Sequence, residues 1–435
     1  MRRLFLLLLC AVAVSVTTSA QSPAPAATEG LALFDEVWKT INDSFYDPAF
    51  GGLDWAGVRD ELRPKAAAAP TTDAARAVIT DMLGRLKRSH FALLSGSATA
   101  DADMVLKGEA TVDIEFRVLG QDVVITRNRA EPSADLMTLS PGQRILAIDG
   151  RTVAPAPGAP PLATWRRVNA ALHGAEGSIA VIDVLSSDPA SGVRGPKARI
   201  QAPRRMPPGL PVQFSNLPPM RVRVDAYAAT TPVGRSVGVI GFNIWMAQVD
   251  AMVASAVDRF RATDGLVFDL RGNPGGLAGM ISGIAGHVLE RADLLGTMRM
   301  RQVPQLKFIV NPRTATPDGR TVKPFGGPVA ILVDEMTASA SECFAGALQD
   351  LGRARVFGRT SMGQALPAST RRLANGDVLE YVIGDFVTST GRSLEGRGVI
   401  PDEIQPLSIA SLAAGRDDAL RAALAWIDRE SGRIR

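Results

Sequence analysis

The period of apolar and polar positions changes twice along the chain. Phe34, Val37, Trp38, Ile41 and Phe45 recur at helical spacing and predict a helix with one buried face, ended by Pro48. Pro64 and Pro70 punctuate the next stretch. Thr71-Thr72-Asp73 then offers a cap for a helix whose stripe is Val78, Ile79, Met82, Leu83 and Leu86. That helix runs out at "KRSHF", which places His90 at its C-terminal end or just beyond. After about residue 104 the period drops to two. Val112, Ile114, Phe116 and Val118 alternate as in a half-buried strand, and Val123 to Thr126 reads as another. "APAPGAPP" (154–161) reads as a loop, and the proline-rich stretch 202–220 as a linker. From about 221 onward short apolar runs alternate with helical patterns. "SVGVIGFNI", "GLVFDL", "VAILVD" and "ARVFG" predict strands, and 246–261, 277–289, 341–351 and 417–428 predict helices. "LANGDVLEYVI" predicts a hairpin around Asn375-Gly376. Strand–helix alternation predicts an α/β core with crossover connections.

Composition adds limits. A chain of 435 residues with 46% hydrophobic and 21% charged residues has room for two or three domains and a sizeable core. The net charge is only +4, and no Lys/Arg cluster is interleaved with aromatics, so nucleic-acid binding is not indicated. Arg2 and Arg3 precede an apolar run, Leu4 to Val16, too short to span a bilayer comfortably. Thr18-Ser19-Ala20 then supplies small residues for cleavage. Residues 1–20 are therefore expected to be a signal peptide and 21–28 a flexible leader, with the mature protein periplasmic or secreted. Cys10 would leave with the signal peptide. Cys343 would then remain as a lone cysteine, and no internal disulfide could form. No later segment has the length and apolarity of a membrane span.

Two stretches carry candidate chemistry. "DLRGNPGG" (269–276) follows a buried strand and precedes a helix, and its glycines let backbone N–H groups approach a ligand. It has neither the Lys-Ser/Thr nor the GxGxxG of a nucleotide loop. "TASASE" (337–342) lies where a strand meets a helix N-terminus, where amides and the helix dipole favour developing negative charge. Taken alone, Thr337, Ser339 and Ser341 could each be simply a helix cap. Cys343 falls on the buried face of the following helix and reads as core.

"DLRGNPGG" followed by "TASASE" and "AGALQDLGRA" resembles the serine peptidase family of the C-terminal processing proteases and the tricorn protease core. "FDEVWKTINDSFYDP" and "DWAGVRDELRP" resemble that family's N-terminal helical region, and "SLEGRGVIPD" its C-terminal motif. "SPGQRILAIDG" resembles a PDZ signature. The resemblance implies a crotonase-like (ClpP-like) α/β protease core at 221–435. Before it would come a helical region at 29–100, a PDZ-like insert at 104–204 and a linker at 205–220. It also places the nucleophile at Ser339. The processing-protease branch carries its lysine base 25 positions later, which is Gln364 here, and its usual glutamine falls on Ala368. An amide cannot take a proton from a serine hydroxyl.

The tricorn-like branch uses a histidine from an upstream "SH" motif, here Ser89-His90, while His173 and His287 lie in the insert and in an apolar helix. By the same resemblance Glu395 orients the imidazole and Ser89 joins the network. The resemblance also implies an oxyanion hole that would combine the N–H of Ala340 with that of Gly275 or Gly276. The resemblance implies no metal or cofactor. It implies an exported endopeptidase acting on peptides or unfolded protein segments, and the competing expectation is an inactive binding protein on the same scaffold. In the insert, "TVDIEF" would be the carboxylate-binding segment, where Asp113 and Glu115 are poor hosts for a peptide carboxylate. The insert is then expected to cap or gate the site.

Overall fold

The structure, a computed structural model, describes residues 26–96, 110–129, 139–213, 220–301 and 303–434. The expected signal peptide and most of the leader lie outside the described residues. Among those described, no helix is long and apolar enough to cross a membrane.

Three helices open the chain: Ala26–Ser44, Trp55–Ala67 and Thr72–Gly84. The Thr71 hydroxyl accepts from the Ala74 N–H at 3.1 Å and starts the third helix as its sequence predicts. The second helix runs through Pro64 instead of ending there. This proline sits near the helix end, where its missing N–H deprives only the Asp60 carbonyl of a partner. The buried faces, with Phe34, Val37, Ile41, Leu62, Ile79 and Met82, close on one another and on Leu366, Leu373, Leu379 and Val382. The hairpin predicted around Asn375-Gly376, Ala368–Arg372 paired with Val378–Val382, supplies three of those four. A short strand, Ala92–Leu94, joins the same sheet, with Ala92 opposite Glu380. The helical region is therefore stitched to the C-terminal half just beyond His90.

The insert is built on Ile114–Leu119, Asp122–Asn128, Arg144–Ile148, Ile179–Ser187 and Arg194–Pro203, hydrogen-bonded in that order. A helix that the sequence reading did not name, Pro161–Leu172, covers one face through Val168 and Leu172. Its start carries the proline-at-first-turn signal. Within the linker, Leu210–Val212 pairs with Met220–Val222.

The core sheet runs Val224–Thr230, Ser236–Phe242, Gly265–Asp269, Val329–Val333, Ala354–Gly358 and Glu403–Ile404. The first pair is antiparallel and the rest parallel. Both faces of the central strands are covered, so they read as unbroken apolar runs. Val329, Ile331 and Val333 face the helices Ala247–Arg259 and Ala340–Asp350, whereas Ala330 and Leu332 face Asp418–Ile434. The helix predicted over 277–289 shrinks to Met280–Ala285. Glycines at 279, 283 and 286 weaken it. Gly286 also lies so close to Asn311 that an added Cβ would sit 1.7 Å from its carbonyl oxygen. Parallel register places Asp269 beside Leu332. "DLRGNPGG" and "DEMTASAS" therefore leave the same end of adjacent strands.

Candidate active site

The two loops are fastened to each other before either meets a ligand. Asn273, fully buried, donates from Nδ2 to the Phe242 carbonyl, accepts from the Gly275 N–H at 2.9 Å, and receives the Ala338 N–H on its own carbonyl at 3.0 Å. Thr337 Oγ1 donates to the Leu270 carbonyl at 2.8 Å, and Ser341 Oγ accepts from Trp245 Nε1 at 2.8 Å. Both residues are fully buried. Of the hydroxyls in "TASAS", Ser339 alone is reachable, being half-buried. It stands at the helix N-terminus with φ 54° and ψ −121°, a conformation an L-residue holds only when its surroundings force it.

His90 is also at positive φ, 60°. Its Nδ1 is 2.7 Å from Ser89 Oγ, which donates to Glu395 Oε2 at 3.0 Å. Glu395 further accepts from the N–H of Ser89 at 2.9 Å and from that of Ala365 at 3.0 Å. Because the Ser89 proton points at the carboxylate, its oxygen must accept from His90 Nδ1–H. That leaves Nε2 unprotonated, with a lone pair available to take a proton. Burial lowers the His90 pKa from its usual value, opposed by the charges of Glu380 and Glu395. Arg392 does not neutralise Glu395: it pairs with Asp350 at 2.7 Å.

The segment 363–365 joins the two groups. The Gln364 carbonyl accepts the Ser339 N–H at 2.8 Å, while the next N–H, that of Ala365, goes to Glu395. Gly275 abuts the serine: a Cβ added there would lie 2.5 Å from Ser339 Cβ and 3.0 Å from the Ala340 nitrogen. Ala340 is the first residue of its helix, so its N–H has no intrahelical partner. Gly275 itself donates to Asn273, and Gly276 is exposed beside it.

The remaining candidates fall elsewhere. His173 Nδ1 is 2.7 Å from the Asn169 carbonyl inside the insert. His287 is 4% exposed, and burial takes its pKa down to about 4. Cys343 is buried in the core, where desolvation pushes its thiol up. A cleft of about 410 Å³ between insert and core, lined by Glu115, Arg127, Tyr227, Arg359 and Asp417 among others, includes none of Ser339, His90 or Glu395.

The sequence reading did not single out four charged residues at or beside the site. Glu342 and Glu380 are two. The others are Arg117 and Asp334, which join the insert to the nucleophile loop. Arg117, 5% exposed, donates to Asp334 Oδ2 at 2.8 and 2.5 Å. Asp334 Oδ1 accepts from the N–H groups of Gly272 and Met336. Burial alone would raise the Asp334 carboxyl, but Arg117 and Arg359 hold it low. Arg117 falls on the polar face of an alternating strand, where a charged residue is ordinary, so its burial leaves no signal in the sequence. Arg117→Ala leaves Asp334 without its closest cation and is expected to cost about 3–5 kcal/mol in urea unfolding. A loss below about 1 kcal/mol would mean that the pair is solvated. Along the same seam Asp113 faces Arg223 at 3.6 Å and Glu115 faces Arg129 at 2.5 Å.

Comparison with known proteins identifies two domains. Residues 236–404 match the model of Peptidase family S41, and residues 27–84 match that of the Tricorn protease C1 domain. The chain therefore carries a peptidase family S41 domain. It is accordingly a serine peptidase, a hydrolase. The chain is 28% identical to a carboxyl-terminal-processing protease of Synechocystis, over 92% of its own length and 87% of that protein's. It is 26% identical to a chloroplastic C-terminal processing peptidase of Tetradesmus obliquus, over 88% and 79%. Among solved structures, its mixed α/β fold is similar to that of a photosystem II D1 C-terminal processing protease. That likeness has a TM-score of 0.56 at 20% identity and covers 90% of this chain and 98% of the other. Mature CPAF is similar at a TM-score of 0.60 and 13% identity, over 94% and 98%.

Proposed function

We propose that this S41 peptidase is an exported endopeptidase using Ser339 as nucleophile and His90 as general base, with Glu395 acting through Ser89. The observation that carries the reading is the chain Glu395–Ser89–His90, which fixes the tautomer that leaves Nε2 basic. Ser339 attacks the scissile carbonyl and its proton passes to His90 Nε2. The oxyanion is held by the N–H of Ala340 and one from Gly275 or Gly276, and Gly276 is favoured because Gly275 already donates to Asn273. His90 then returns the proton to the leaving amine, and water hydrolyses the acyl-enzyme.

The substrates are read as peptides or unfolded segments of proteins, because a capped site admits extended chains best, and relatives named for carboxyl-terminal processing fit protein substrates. The core is read as crotonase-like and the insert as PDZ-like. Because Asp113 and Glu115 turn to arginines at the seam, the insert is read as a cap or gate rather than a carboxylate receptor. Export to the periplasm or beyond rests on the N-terminal pattern of Arg2-Arg3 and the apolar run after it.

A fluorophosphonate probe tests the catalytic reading. Labelling is expected at Ser339 in the wild-type chain and lost in His90→Ala. Undiminished labelling of His90→Ala would overturn the base assignment. No labelling of the wild type at any pH would favour a binding protein on this scaffold.

A further inference from the structure

Glu342 is the least expected group beside the candidate nucleophile. It is 0% exposed, and no lysine, arginine or histidine nitrogen lies within 4.0 Å of its carboxylate among the described residues. Burying a carboxylate without a cation is costly unless donors surround it. Four do. Oε2 accepts from the N–H of Ser339 at 3.0 Å and of Gln364 at 2.9 Å, and Oε1 accepts from the N–H of Gly363 at 2.7 Å and the hydroxyl of Ser361 at 2.5 Å. Burial pushes the Glu342 carboxyl above its usual range, and the four donors oppose that shift by favouring the ionised form.

The same segment is gripped from its other side. Gly363, Gln364 and Ala365 present three consecutive N–H groups to carboxylates, two to Glu342 and the third to Glu395. The Gln364 carbonyl meanwhile accepts from Ser339. The backbone at 363–365 thus forms a short bar with the serine at one end and the Glu395–Ser89–His90 chain at the other. The serine end is strained, at φ 54° and ψ −121°. Such a conformation costs about 1–3 kcal/mol and persists only where neighbours over-determine it. Here the neighbours are the Gln364 carbonyl and Glu342, both on the Ser339 N–H.

We infer that Glu342 is a positioning residue for peptide hydrolysis: through the 363–365 backbone it sets the separation and orientation of Ser339 relative to His90. The inference rests on Ser339 and His90 being nucleophile and base. A carboxylate is required because both of its oxygens must accept twice. In Glu342→Gln the amide nitrogen replaces one acceptor and faces donors. Turned toward Ser361, whose hydroxyl already accepts from the Val399 N–H at 2.6 Å, it still leaves the Gly363 N–H unpaired.

The test uses the full chain, an internally quenched peptide that the wild type cleaves, and a fluorophosphonate, all well below each variant's Tm. Glu342→Gln is expected to lower kcat and the acylation rate together by about 10²-fold, the effect of a misplacement near 1 Å. KM should stay within about threefold, because ground-state binding is untouched. Ser361→Ala removes one donor, leaves the Val399 N–H without its 2.6 Å acceptor and keeps the carboxylate, so it keeps the experiment decisive where Glu342→Gln does not fold. It is expected to lower kcat by about tenfold with KM unchanged. Because Glu342 and Glu395 hold one segment, Glu342→Gln/Glu395→Gln should lose less than the product of the single losses. Wild-type kcat and acylation in folded Glu342→Gln or Ser361→Ala, with Ser339→Ala and His90→Ala silent, would overturn the positioning role alone. Hydrolysis surviving in Ser339→Ala would remove the catalytic reading beneath it as well.

Discussion

Ser339→Gly should fold at least as stably as the wild type and hydrolyse nothing measurable. The two halves of that expectation come from one observation, the backbone at φ 54° and ψ −121°. Serine at an ordinary helix N-cap has extended backbone, and changing it to glycine costs a few tenths of a kcal/mol. At this position glycine relieves Cβ strain, worth about 1 kcal/mol or more, against a comparable entropic cost in the unfolded chain. Thermal unfolding should therefore give a Tm equal to or above the wild-type value. Hydrolysis should fall by about 10⁴-fold or more, as when a serine nucleophile is removed from a site that keeps its oxyanion donors. A clear drop in Tm would show that the hydroxyl is a structural cap, and retained turnover would remove Ser339 from the reaction. Ser339→Ala controls for the lost hydroxyl alone, since alanine keeps the Cβ and the strain.

The fold was legible where local pattern and burial coincide. The first and third helices, the four apolar strands of the core and the hairpin at Asn375-Gly376 follow from periodicity and turn chemistry. Where tertiary contact decides, pattern failed. The helix over 277–289 is cut to Met280–Ala285 by glycines at 279, 283 and 286, which an apolar pattern alone overlooks, while the close approach of Gly286 to the Asn311 carbonyl is a tertiary contact that the pattern does not report. The helix Pro161–Leu172 was hidden by the alanines and prolines before it. At the site, motif resemblance singled out Ser339, Ser89, His90 and Glu395. The structure brings Ser89, His90 and Glu395 into one hydrogen-bonded group and ties it to Ser339 through 363–365. Gln364 looked informative for the base that its side chain cannot be. Its backbone is what bridges the two groups. Glu342 was read only as the last letter of "TASASE", because a buried carboxylate and an exposed one look alike in sequence.

The second large effect concerns pH. His90 must be neutral to accept the serine proton, so kcat/KM should rise with pH through the His90 pKa of the free enzyme. Burial lowers that pKa, and the acid limb should therefore have its midpoint below 6.5. His90→Ala should lose about 10⁴-fold or more in kcat, with no acid limb from this group left to fit. Glu380 supplies the finer test. It stands opposite Ala92 on the paired strand, two residues from His90, and its charge favours the imidazolium. Glu380→Gln removes a charge that raises the His90 pKa, so the acid limb should move to lower pH. The variant then keeps a larger share of its maximal rate at pH 5 than the wild type does. Its plateau at neutral pH should fall, because the imidazolium formed during acyl transfer has lost a nearby negative charge. Glu395→Gln should shift the limb the same way and lower the plateau further, since it also breaks the hydrogen-bond chain through Ser89 that fixes the tautomer. A limb that moves to higher pH in either variant would mean that the titrating base is not His90.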